Sequence, residues 1–217
     1  MKNIIWDFDG TLFDTYPQMV NSFLLALKKM HIDEMEIDEY EIYEVMRRHS
    51  LSTAIQKYAA HYNLVADNLK LNYQLYEKQN ILKSKPFFNL ETLLLNTIKN
   101  DYSHFILTHR DKQTLYQVLE NNHFADYFKM IITKDDNLPR KPNPAAINQI
   151  IEKNNLKKMD TLIIGDRVID IRAGQNAGIQ SILFDPDALI IENCNANHKF
   201  SNMYDLKLFL MNLGKDK

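Results

Sequence analysis

Five short apolar runs separated by helix-length intervals constrain this chain more than any other feature of it. The runs fall at 3–6, 104–107, 130–133, 161–164 and 180–184. Each is only about 4–6 residues long and rich in Ile, Leu, Val or Phe, as strands buried on both faces are. Helical patterns occupy the intervals at 89–100, 111–121, 143–154 and 170–177. Strands alternating with helices predict an α/β fold: a doubly wound parallel sheet covered on both faces by right-handed crossovers.

One interval breaks the rhythm. From 17 to 83 no strand-like run occurs, and apolar residues recur at three- and four-residue steps: Met19, Phe23, Leu24 and Leu27, then Ala54, Ile55, Tyr58 and Ala59, then Leu71, Leu75 and Tyr76. That is far more helix than a crossover needs. The reading is an inserted helical domain at 16–84, with the core made of 1–15 and 85–217. Its hinges are placed at 14–17 and 84–89, each with a proline.

Composition narrows the function classes. Among 217 residues, 45% are hydrophobic and 25% charged, ordinary values for a globular protein. A net charge of −2 gives no reason to expect nucleic acid or an anionic membrane as partner. The single cysteine, Cys194, cannot form an internal disulfide, so a reducing cytoplasm is the expected compartment. No apolar stretch has the length of a secretory signal or a membrane span. A monomer or homodimer is expected.

Asp7-Phe8-Asp9-Gly10-Thr11 follows directly on the first apolar run. Ligands of open parallel sheets bind at the carboxyl ends of strands. Two carboxylates crowded there need a compensating charge, and a hard cation such as Mg²⁺, with its oxygen ligands, suits a site shared with phosphate. Gly10 lets the backbone turn close to a ligand, and Thr11 offers a hydroxyl and an amide.

Asp7-Phe8-Asp9-Gly10-Thr11-Leu12-Phe13-Asp14-Thr15 resembles the first signature of the haloacid dehalogenase superfamily, in its phosphatase form. Three further segments resemble the later signatures, in order. Thr108 closes the run Phe105-Ile106-Leu107; Lys141 opens Lys141-Pro142-Asn143-Pro144; Asp166 and Asp170 stand in Gly165-Asp166-Arg167-Val168-Ile169-Asp170. Together the matches cover residues 2–184. After the hydroxyl residue the family often carries Asn, whereas this chain has His109 and then Arg110. His109 is read as a substrate-side variation.

The resemblance implies a Rossmann-like core of strand order 5-4-1-2-3 with a helical cap, close to the phosphoglycolate phosphatase-like and β-phosphoglucomutase-like members. It implies Asp7 as nucleophile and Asp9 as acid and base. Mg²⁺ would be held by a carboxyl oxygen of Asp7, the backbone carbonyl of Asp9 and Asp166, with Asp170 supporting the metal shell or orienting Lys141. Lys141, Thr108, Gly10 and Thr11 would contact the phosphoryl group. In the cap, Arg48, beside Arg47 and His49, is the candidate contact to an anionic substrate. The implied function is Mg²⁺-dependent hydrolysis of a small phosphorylated metabolite. Phosphomutase action and non-catalytic binding of a phosphorylated ligand are the alternatives.

Overall fold

The computed structural model describes residues 2–213. β1 (Asn3–Trp6) leads into β2 (Phe13–Asp14), and then come four helices: α1 (Tyr16–Lys29), α2 (Glu39–Arg48), α3 (Leu51–His61) and α4 (Ala66–Asn80). The chain continues through β3 (Lys85–Pro86), α5 (Leu90–Lys99), β4 (Ser103–Leu107), α6 (Lys112–Asn121) and β5 (Phe128–Ile132). It ends with α7 (Ala145–Lys153), β6 (Thr161–Gly165), α8 (Val168–Ala177), β7 (Gln180–Phe184), β8 (His198–Phe200) and α9 (Met203–Asn212). Two compact units result, 2–13 with 86–213 and 14–85. Among the described residues, no helix is long and apolar enough to cross a membrane.

The first unit holds a six-stranded sheet of order β5-β4-β1-β6-β7-β8. Every neighbouring pair is parallel. Taking β1, β4, β5, β6 and β7 as first to fifth reproduces the order 5-4-1-2-3, with β8 as an additional strand on the edge. β1 is central, hydrogen-bonded to β4 on one side and β6 on the other, with Trp6 level with Ile106 and Ile164. After β5 the chain crosses to the far side of β1, so the reversal of strand order falls at the β1–β6 boundary.

Side chains alternate across this sheet. Ile5, Phe105, Leu107, Ile132 and Ile163 pack against Ile147, Ile150, Ala173 and Ala177 of α7 and α8. Ile4, Trp6, Ile106, Leu162 and Ile164 are wholly buried at the alternate positions. At roughly 1.5–3 kcal/mol for each large apolar side chain removed from water, β1 with Ile4, Ile5 and Trp6 contributes on the order of 5–9 kcal/mol before conformational entropy is subtracted.

One buried polar chain crosses that core. Trp6 Nε1 donates to His104 Nδ1 at 2.9 Å, which leaves the ring proton on Nε2, 3.0 Å from Thr97 Oγ1. Thr97 Oγ1 in turn donates to the carbonyl of Leu93 at 2.8 Å. Burial lowers His104 to about 3, so the ring stays neutral and every polar atom in the chain has a partner.

In the second unit, Phe23 of α1 packs edge-on against Tyr58 and tilted against Tyr73. Asp38 and Ser50 cap α2 and α3 by accepting from the amides of Glu41 and Thr53. α4 is a helix as its periodicity predicts, but it buries a different face. Leu71 and Leu75 are 59% and 68% exposed and Tyr76 is half-buried, whereas Leu69, Tyr73, Glu77 and Asn80 are buried. The reason is partner choice: Tyr73 meets Phe23, and Asn80 Nδ2 donates to Ser22 Oγ of α1 at 3.2 Å.

Candidate active site

Parallel strands all end on the same side of their sheet, and that is where the charged residues collect. The ladder hydrogen bonds run one residue past the strands: the Asp7 amide donates to Ile164 O at 2.8 Å and the Thr108 amide to Ile132 O at 3.0 Å. Asp7 and Thr108 are therefore held by the sheet itself, and Asp166 follows directly on the last residue of β6. Lys141 arrives from the loop between β5 and α7, with its peptide to Pro142 in the cis form.

Lys141 is the hub. Its Nζ donates to Asp7 Oδ1 at 2.8 Å and to Leu107 O at 3.1 Å, and it pairs with Asp170 Oδ1 at 2.5 Å. All three charged residues are buried. Asp170 Oδ2 accepts from the Arg167 amide at 3.0 Å, closing the first turn of α8. Space for Asp170 exists only because residue 165 has no side chain: a Cβ there would lie 2.3 Å from the Asp170 Cβ.

The carboxylates of Asp7, Asp166 and Asp170 bring one oxygen each to within 4.8 Å of the others. Asp7 Oδ2 is buried and has no hydrogen-bond partner among the described residues. Arg167 Nε stands 4.0 Å from Asp166 Oδ1. Burial pushes the Asp7 carboxyl up, to about 8, with Asp170 and Asp166 adding to the rise and Lys141 opposing it. Burial would also raise Asp170, but Lys141 and Arg167 outweigh it and hold that carboxylate below its ordinary range. For Lys141, burial acts downward and the two carboxylates prevail, leaving it above the usual value for lysine. Three clustered carboxylates, one with a buried oxygen lacking a partner, fit a hard divalent cation with oxygen ligands.

Around this centre the other predicted residues take varied places. Gly10 turns the chain with φ of +72°, and its amide donates to Phe13 O at 2.8 Å. The Thr11 amide donates to Phe8 O at 3.3 Å, and Thr11 Oγ1 is buried without a hydrogen-bond partner among the described residues. Those two amides, expected to face a phosphoryl group, are engaged within the turn instead, because a chain reversing directly after a buried strand must satisfy its own backbone groups. Thr108 Oγ1 accepts from the Arg110 amide at 3.1 Å.

His109, expected on the substrate side, is held by the protein: its Nε2 accepts from the Lys141 amide at 3.0 Å. Burial lowers it to about 3, helped by Lys141 and Arg167, so it stays neutral and able to accept. Asp9 is not part of the Lys141 cluster; its carboxylate meets the guanidinium of Arg110. Arg110 had no assigned role from the sequence, and no local signal points to a partner 101 residues away.

Arg48 belongs to the helical unit, where it closes α2 and pairs with Glu44 at 3.0 Å. Its neighbour Arg47 is not a solvated residue but is 1% exposed, with its guanidinium 5.7 Å from the centre of the Tyr16 ring.

Comparison with known proteins follows the same lines. Residues 4–184 match the family described as haloacid dehalogenase-like hydrolase. A phosphoglycolate phosphatase of Aliivibrio fischeri is 26% identical over 190 residues, covering 83% of this chain and 82% of its own length. Pyrophosphatase PpaX of Bacillus mycoides is 24% identical over 192 residues, covering 84% of this chain and 82% of its own. The crystal structure of a hydrolase from Streptococcus pneumoniae TIGR4 superposes with a TM-score of 0.68 at 29% identity, over 97% of this chain and 100% of that one.

Proposed function

The chain belongs to the haloacid dehalogenase-like hydrolases, and from that membership we propose that it is a Mg²⁺-dependent phosphatase of small phosphorylated metabolites acting through an aspartyl-phosphate on Asp7. One observation carries the reading: Asp7, Lys141, Asp166 and Asp170 converge in a single buried cluster at the strand ends, and one Asp7 oxygen there has no hydrogen-bond partner among the described residues.

In the first step an Asp7 carboxylate oxygen attacks phosphorus in line, and the bond from phosphorus to the leaving oxygen breaks. Asp9 gives its proton to that oxygen. Water then attacks the aspartyl-phosphate, Asp9 takes the water's proton, and Asp7 is released with inorganic phosphate. Lys141 neutralises charge on the phosphoryl oxygens while holding Asp7 Oδ1. Asp170 keeps Lys141 aimed, and the Thr108 hydroxyl donates to the phosphoryl group. Asp7, the Asp9 carbonyl and Asp166 would hold Mg²⁺, which would supply further neutralisation of the transferring group.

The names of the relatives, a phosphoglycolate phosphatase and a pyrophosphatase, support small phosphorylated substrates. We assign the helical segment 16–84 as a cap and Arg48 as a substrate contact from it. The buried free thiol of Cys194 accords with a reducing cytoplasm.

The test is phosphate release from a panel of phosphorylated metabolites with Mg²⁺ present. Release from at least one member is expected, and it stops with a chelator or in Asp7→Asn. Turnover that persists in Asp7→Asn refutes the nucleophile. A correctly folded protein inert towards the whole panel refutes the phosphatase.

A further inference from the structure

We infer that Arg110 is a positioning residue for this reaction: it fixes the Asp9 carboxylate so that Oδ2, not Oδ1, meets the leaving oxygen and then the attacking water. The inference rests on the proposed phosphatase reading and adds to it a residue that reading leaves unused.

The geometry is asymmetric. Arg110 Nε donates to Asp9 Oδ1 at 3.0 Å and to Oδ2 at 3.2 Å, and Nη2 donates to Oδ1 at 2.7 Å. Oδ1 therefore carries the two shorter bonds. Oδ2 carries one longer bond and is the oxygen with acceptor capacity to spare. A planar guanidinium that contacts both oxygens fixes the carboxylate's direction as well as its place, which a point charge does not do.

The guanidinium is itself braced. Arg110 is 8% exposed. Its main chain is held on both sides, the amide donating to Thr108 Oγ1 at 3.1 Å and the carbonyl accepting from the Lys134 amide at 3.1 Å. Nη1 reaches Thr114 Oγ1 at 3.5 Å, and Thr114 is bound to Asp111 at the start of α6 by its amide and its hydroxyl, both at 2.8 Å. One residue thus ties the second carboxylate after β1 to the hydroxyl that closes β4.

Asp9 needs such a tether. It stands on the turn after β1 with its side chain 21% exposed, outside the Lys141 cluster, and an untethered aspartate distributes over several rotamers. Misplacing a reacting group by an ångström costs on the order of a hundredfold in rate.

The experiment compares two leaving groups through kcat/KM, which reports the first transfer step. A simple alkyl phosphate such as glycerol phosphate needs a proton on its leaving oxygen; p-nitrophenyl phosphate departs without one. Asp9→Asn is expected to lower the alkyl value by about 10²–10⁴-fold and the aryl value far less. Arg110→Ala is expected to lower the alkyl value by roughly 10–100-fold, with the aryl value within about threefold. The double variant Asp9→Asn/Arg110→Ala should be no slower on the alkyl substrate than Asp9→Asn alone, as for two residues acting as one unit. Should Arg110→Ala fail to fold, Arg110→Lys carries the test: it keeps the charge without the fork, and the same selective loss is expected at about fivefold. Equal losses on both substrates, an unchanged alkyl rate, or a faster alkyl rate would each overturn the inference while leaving the reading of Asp9 intact. If Asp9→Asn shows no dependence on leaving group, the reading of Asp9 fails, and the inference with it.

Discussion

Replacing Gly165 by alanine tests the architecture of the charged cluster without removing any of its charges. The added Cβ would lie 2.3 Å from the Asp170 Cβ, 2.4 Å from its Cγ and 2.7 Å from its Oδ2. Ordinary contact begins near 3.4 Å, so Asp170 must retreat by about an ångström, and the start of α8 with it. Two interactions lengthen by a similar amount: the 2.5 Å pair with Lys141 and the 3.0 Å bond from the Arg167 amide. Overpacking of a filled interior costs about 1–3 kcal/mol. Outright loss of one partner of a buried ion pair costs about 3–5 kcal/mol. Because Lys141 keeps Asp7 and Leu107 O, the expected loss lies between these limits, about 3 kcal/mol, or a fall of roughly 6–12 °C in the unfolding midpoint of the sheet-bearing unit. Turnover should fall on the order of a hundredfold, since the ammonium loses its aim. Thermal unfolding followed by the fluorescence of Trp6, with phosphate release on parallel samples, measures both. A Gly165→Ala protein with the parent's midpoint and rate would show that Asp170 is not wedged against residue 165 and that Lys141 does not depend on it.

Further outcomes follow from other parts of the molecule. Lowered to about 3 in the fold against 6.5 in the unfolded chain, His104 takes up a proton only on unfolding between those values. Stability should therefore fall as pH drops below 6.5, by about 2 kcal/mol at pH 5 from this residue, and the pH–stability slope of His104→Asn should be shallower by that amount. Mg²⁺ should raise the thermal midpoint of the parent chain, by the equivalent of about 2.7 kcal/mol at a hundred times its dissociation constant, and Asp166→Asn should lose most of that shift. In α4, Leu71→Gln and Leu75→Gln should change stability by no more than about 0.5 kcal/mol, whereas Tyr73→Ala should cost roughly 3–5 kcal/mol; denaturant midpoints decide between the faces.

What the sequence discloses and what it hides divide along a physical line. A strand buried on both faces must be apolar along its whole length, so Ile4-Ile5-Trp6 and Leu162-Ile163-Ile164 announce themselves. The residue after such a strand inherits its position from the sheet, so the sequence places Asp7, Thr108 and Asp166 each at a strand end. β8 announces nothing: His198 and Lys199 are exposed and only Phe200 is half-buried, because an edge strand has less to hide. The buried face of α4 is not a property of α4 at all. Counting apolar side chains favours Leu71 and Leu75, but α1 offers Phe23 to Tyr73 and Ser22 to Asn80, and those partners turn the helix.

The same line runs through the site. A carboxylate at a strand end is placed by local rules, but what it does depends on the group it faces, and that group arrives from elsewhere in the chain. Asp7 and Asp9 are two residues apart, yet Asp7 is met by Lys141 and Asp9 by Arg110, from loops on either side of β5. Spacing alone makes the pair look equivalent. Their partners make them different: Lys141 leaves Asp7 buried, with one oxygen lacking a hydrogen-bond partner among the described residues, and Arg110 holds Asp9 outside the Lys141 cluster with its two shorter bonds on Oδ1. A division of labour between nucleophile and acid needs such an asymmetry. Removing Arg110 should therefore damage the reaction with the same dependence on leaving group as removing Asp9, to a smaller extent, and the leaving-group comparison on Arg110→Ala is the measurement that would show it.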